Sequence, residues 1–114
     1  MSKDDLVYAR HMLDTARRAR ALMEGKGRAD FDSDEALRLA LTHLVQIVGE
    51  AARRLSAEFR RNNPEFPWKA IVGMRHKVVH DYLNVDEEVL WKTVSVELPT
   101  LITQLEALLS RTDA

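Results

Sequence analysis

Leu37, Leu41, Leu44, Val48, Ala51, Leu55 and Phe59 follow one another at steps of three and four. That spacing places them on one face of a helix roughly six turns long. Leu90, Val94, Leu98, Leu101, Leu105 and Leu108 form a second such stripe near the end of the chain. Leu6, Met12, Leu13, Ala16, Ala19 and Met23 form a looser one near its start.

The polar residues between the stripes set the expected boundaries. Ser2 can cap a first helix, with Asp4 and Asp5 where the helix dipole favours anions. Gly25 and Gly27 end it, and residues 25–32 read as a polar loop. Asp32 followed by Glu35 resembles a capping box and opens the long second helix. Gly49 inside that helix costs about 1 kcal/mol against Ala, which a close helix crossing would explain. Asn62, Asn63 and Pro64 stop it. Pro67 suits the first turn of a short third helix from about Trp68 to Tyr82. Asn84 with Glu87 caps a fourth, which Pro99 should kink. The expectation is an all-α fold, a single domain over residues 1–114. It is a four-helix up-and-down bundle with a short third helix.

Composition narrows the function classes. The chain has 114 residues, 46% hydrophobic and 31% charged, the balance of one globular domain. It has no cysteine, which excludes disulfides and thiolate metal sites and suggests a reducing cytoplasm. No apolar run approaches the roughly 20 residues of a membrane span, and the first residues carry no apolar signal core. A net charge of -1 argues against bulk electrostatic capture of nucleic acid but leaves room for a local basic cleft.

The chemistry concentrates in GMRHKVVHDY, residues 73–82. Arg75 carries a permanent cation whose planar fork suits a phosphate. The imidazole of His80 titrates near neutral pH. On a continuous helix Tyr82 falls within about 20° of Arg75, but His80 lies about 140° away. Arg75 must then reach round, the helix must unwind near His80, or a second copy must complete the site.

This stretch resembles the HEPN signature, in which an Arg, a polar residue and three further residues precede a His. Its extension through Tyr82 resembles the HepT branch. The flanks IVGEAARRLS (47–56), FPWKAIVGMR (66–75) and NVDEEVLWKTVSVELPTL (84–101) carry the same likeness, over about residues 35–110. His76 stands where HepT proteins often have Asn. The resemblance implies a HEPN-like bundle and a metal-independent endoribonuclease with no cofactor. Arg75 and His80 would be its catalytic pair, with His76, Lys77 and Asp81 supporting it or contacting RNA. It implies a two-fold homodimer, or a larger hetero-oligomer with a minimal nucleotidyltransferase antitoxin. That partner would adenylylate Tyr82 in a type VII-like toxin–antitoxin system.

Blander readings stand beside these. Arg75 and His80 can be a structural pair. His76 and His80 have a metal-chelating spacing, yet no third ligand is evident. His11 and His43 are isolated. Trp68 and Trp91 read as bundle packing before base stacking. Arg53, Arg54, Arg60 and Arg61 read as a solvated face with Glu50 and Glu58 before an RNA track. The alternative function is a non-catalytic HEPN-like helical dimer that binds nucleotide or protein.

Overall fold

The computed structural model describes residues 1–74, 76, 79–81 and 84–113; at 79–81, 84 and 113 it describes the backbone alone. Helix α1 is Lys3–Met23, α2 Arg28–Ser33, α3 Glu35–Arg53, α4 Ala57–Asn62 and α5 Trp68–Val72. Two short strands follow, β1 (Val79–Asp81) and β2 (Asn84–Val85). The chain then forms α6 (Glu87–Lys92), a π-helical turn (Thr93–Glu97) and α7 (Leu98–Asp113) without interruption. The fold is all-α apart from the small ribbon.

The expected apolar stripes make the core. Ala9, Met12, Ala16 and Ala19 of α1 are fully buried, as are Leu41, Val45 and Val48 of α3, and Leu90, Val94, Leu98 and Leu105 of the last rod. Helix α1 packs on α3 and on α7, and α5 packs on α3. Ser2 caps α1 as expected, its hydroxyl accepting from the Asp5 N–H at 3.1 Å. Gly25 closes it at φ +74°, the left-handed cap that glycine adopts without strain.

Several boundaries differ from the pattern. The loop expected over residues 25–32 folds into α2, whose Phe31 is fully buried. The Asp30 carboxylate holds its start by accepting from the Gly27 N–H at 2.8 Å. Asp34, not Asp32, caps α3, accepting from Leu37 N–H at 3.0 Å. The long second helix breaks at Arg54–Leu55, and Ser56 caps a new one by accepting from Phe59 N–H at 3.0 Å. Asp86 rather than Asn84 caps α6, accepting from Val89 N–H at 3.1 Å. At α3, α4 and α6 a side-chain oxygen three residues upstream of an orphan N–H decides the boundary, and at α2 the oxygen lies three residues downstream.

The third helix does not run to Tyr82. Helix α5 ends at Val72, Met74 and His76 are still helical, and the backbone is extended from Val79. Val78 and Val79 are β-branched and favour extended backbone. Unwinding near His80, one of the three expected solutions, is what the backbone adopts.

Pro99 acts one turn before itself. A proline lacks the N–H that would bond Ser95 O, and its ring crowds that carbonyl. The preceding turn widens, and Leu98 N–H reaches back five residues to Thr93 O. Val94 O thereby loses its usual donor, and its alternative donor would be Pro99, which has none. The Arg20 guanidinium fills the gap from α1, donating to Val94 O at 2.8 Å.

Arg20→Met should cost about 1–3 kcal/mol, the range for an orphaned buried carbonyl. The loss should shrink in a Pro99→Ala background, where residue 99 regains an N–H. Equal losses in both backgrounds, read from urea unfolding, would rule out this account.

Asp5 is buried at the break between α3 and α4. Its carboxylate accepts from Ser56 N–H at 2.8 Å and from the Ser56 hydroxyl at 2.7 Å. Burial alone would raise its pKa, but the two Ser56 bonds, with Ser2 and the N-terminal charge, together outweigh burial and hold it below the ordinary 3.8. A depressed carboxylate pKa stabilises the fold above the unfolded value and loses that effect as pH falls through the folded one. The stability difference between wild type and Asp5→Asn should be flat above pH about 5 and close in more acid solution. A difference that does not change with pH would contradict this.

Candidate active site

The motif segment hangs between two fixed points. On the upstream side, Trp68 opens α5 with its indole N–H donating to Asn63 O at 2.9 Å. Its ring stacks on Phe66 with centroids 4.8 Å apart and meets Phe59 edge-on at 5.8 Å. On the downstream side, Arg28 and Arg38 hold the start of α6. Arg28 is bonded to Glu88 and to Asp32, and lies over the rings of Phe31 and Trp91 at 5.7 and 5.5 Å. The bonds to Glu88 and Asp32 raise the Arg28 pKa further above its ordinary range, and the bond from Arg28 holds the Glu88 carboxyl below its own. Arg38 donates to the carbonyls of Phe31 and Asp32 at 2.8 and 2.6 Å and pairs with Glu87 at 3.4 Å.

Between these clamps, β1 and β2 form an antiparallel ribbon, with Val79 opposite Val85 and Asp81 opposite Asn84. The register shifts between the two pairs, at His80. Such an irregularity turns a side chain away from the regular alternation and is common beside functional sites. The backbone of His80 and Asp81 therefore lies on a strand, where the angular separations of a continuous helix no longer apply.

Arg75, Lys77 and Tyr82 lie outside the described residues, as do the side chains of His80 and Asp81. His76 is described: it is exposed, and its N–H donates to Gly73 O at 3.0 Å. It borders an open groove of about 690 Å³ lined by Pro67, Trp68, Lys69, Ala70, Gly73 and His76. The rest of the groove was not singled out in the sequence, where Pro67 and Trp68 read as the opening of a packed helix.

The arginines of the α3–α4 region are largely engaged. Arg53 and Arg54 both pair with Glu50, at 2.7 and 3.4 Å. Arg60 donates to Leu55 O at 3.1 Å across the helix break. This favours the structural reading of that face. Among the described residues, no group of three or more His, Asp or Glu gathers to hold a metal ion. Nor is any helix among them long and apolar enough to cross a membrane.

Comparison with known proteins adds a second line. Residues 12–108 match the model of the family described as "Ribonuclease HepT-like". The chain is 34% identical over 104 residues to "Putative RNase TTE0752" of Caldanaerobacter subterraneus subsp. tengcongensis, covering 91% of this chain and 93% of that protein. It is 39% identical over 79 residues to "Probable ribonuclease HepT" of Thermococcus cleftensis, covering 69% and 72% respectively. No solved structure matches significantly. The family match spans the whole motif from Arg75 to Tyr82, and the helices carry the expected core: the chain belongs to the HepT-like ribonuclease family.

Proposed function

We propose that the chain is a metal-independent endoribonuclease toxin in which His80 and Arg75 act on one RNA phosphodiester. The observation that carries this reading is the family match over residues 12–108, which contains the complete motif. The His80 imidazole takes the proton from a 2′-hydroxyl. The freed oxygen bonds to the adjacent phosphorus, and the bond from phosphorus to the 5′-oxygen breaks. That leaving oxygen takes a proton from solvent water, and His80 returns its own proton to solvent, giving a 2′,3′-cyclic phosphate and a 5′-hydroxyl end. Arg75 binds the non-bridging oxygens and stabilises the charge that grows on them. His76, Lys77 and Asp81 support the pair or contact the strand.

The ribbon supports this arrangement. It puts the His80 backbone beyond the end of the helical stretch that contains Gly73, Met74 and His76. With the His80 backbone on a strand, the wide angular separation of one continuous helix no longer applies to it.

Two partners belong to the proposal. One is a second copy of the chain. Ala36, Leu39, Ala40 and His43 form an exposed stripe along α3, and Leu39 alone is 57% exposed. An exposed apolar helix face of this kind favours a two-fold dimer that covers it. The other partner is a minimal nucleotidyltransferase antitoxin that adenylylates Tyr82. The added phosphodiester would place bulk and negative charge next to Arg75, where the RNA backbone has to bind.

Purified protein should cut RNA in the presence of a chelator. His80→Ala should slow cutting by about 10²–10⁴-fold, the usual share of a general acid or base. Replacing the 2′-hydroxyl at the cut position by hydrogen should abolish cutting. Equal cleavage of the deoxy substrate, or a folded and fully active His80→Ala variant, would overturn the mechanism.

Native mass spectrometry after co-expression with a nucleotidyltransferase should show paired copies of this chain and an adenylyl group on Tyr82. Leu39→Asp should yield single copies. Unmodified Tyr82 in an inactive complex would remove the covalent step, and single copies of the wild-type chain would remove the dimer.

A further inference from the structure

We propose that the groove beside the motif is a nucleobase subsite, with the Trp68 ring as the platform on which one unpaired base of the RNA stacks. The inference rests on the ribonuclease function above and specifies its substrate as a single-stranded or looped segment.

Trp68 is built as a platform. Its N–H bond to Asn63 O fixes the indole edge, and Phe66 and Phe59 support the ring. Yet Trp68 stays half-buried and lines an open groove instead of closing into the core. Trp91 is half-buried as well; its ring meets Phe31 edge-on at 5.3 Å and lies under the Arg28 guanidinium.

The groove's walls are mostly apolar, and its volume of about 690 Å³ is ample for one base. Gly73 leaves bare backbone in its lining. A Cβ built at Gly73 would lie 3.0 Å from Lys69 O, so a side chain there would be crowded. Lys69 and His76, both exposed, bring cationic or hydrogen-bonding groups to an otherwise apolar groove. A flat ring with an anionic phosphate attached is the ligand this pairing of surfaces fits.

The groove also sits in the right place. Gly73 and His76 belong to both the groove and the motif, flanking Arg75 in sequence. A base held there lies against the described start of the motif, at Gly73 and His76. A duplex offers no free base face, so this subsite selects unstacked RNA.

The test uses the full chain with Trp91→Phe, which leaves Trp68 as its one tryptophan. The probe is a short 2′-O-methylated RNA, which resists cleavage by 2′-oxygen attack. Trp68 emission should be quenched by the single strand and not by the same strand annealed to its complement. In otherwise wild-type protein, Trp68→Leu should weaken single-strand binding by about 5- to 100-fold, the effect of losing one stacked base. Trp68→Phe should stay closer to wild type.

If Trp68→Leu fails to fold, Ala70→Leu keeps the platform and narrows the groove that half-buried Ala70 lines, and it should weaken binding in the same direction. Unchanged emission on binding, or unchanged affinity in the folded variants, overturns the subsite. RNA cleavage with no Trp68 response would overturn the subsite and leave the nuclease standing. Quenching by the single strand without any cleavage would uphold the subsite and overturn the nuclease.

Discussion

The close approach of α1 to its neighbours is the constraint on which the rest of the molecule depends. Ala9, Ala16 and Ala19 are fully buried, and their small side chains let α1 lie between α3 and α7. Larger residues at these positions would force the helices apart and cost the dense packing that core stability requires. The polar ties along α1 are compatible with that geometry. Asp5 reaches the α3–α4 break, Arg20 reaches the π-turn, and Arg17 meets Glu106 at 2.7 Å. The Arg17–Glu106 pair is half-exposed and contributes little by itself. The buried bonds of Asp5 and the bond from Arg20 satisfy groups that would otherwise lack partners.

On this base the described part of the motif segment joins the core through Met74 and passes from helix at His76 to strand at Val79. It is flanked by the Trp68–Asn63–Phe66 cluster upstream and by Arg28 and Arg38 downstream. A segment flanked in this way can depart from helical geometry because its anchors carry the stability.

The core was legible in the sequence because burial is periodic. Leu37, Leu41 and Val48, and likewise Leu90 through Leu108, fall inside as their spacing required. Local boundaries were less legible because several side-chain oxygens competed for the same N–H groups. Asp32 and Asp34 both stand before a helix, and only the second lies three residues from the Leu37 N–H it bonds. Phe31 was hidden because a six-residue helix shows too little period to register. The π-turn followed from Pro99, but its partner Arg20 lies 74 residues away, a distance that no local pattern spans. At the site, the residues of the motif were legible from their resemblance to a family. The groove was not, since Trp68 and Trp91, both half-buried, look alike in one dimension, and it takes the fold to set Trp68 along an open groove.

The first and last turns of the chain meet at one corner, where Met1, Ser2 and Asp5 share a cavity of about 520 Å³ with Leu108 and Thr112. At the Gly25–Gly27 turn, nothing lies within 4 Å of where a side chain would project from either glycine. The helices therefore form a closed circuit whose starting point is arbitrary. A short peptide joining residues 113 and 1, with the backbone reopened at that turn, would give a circular permutant with every helix intact.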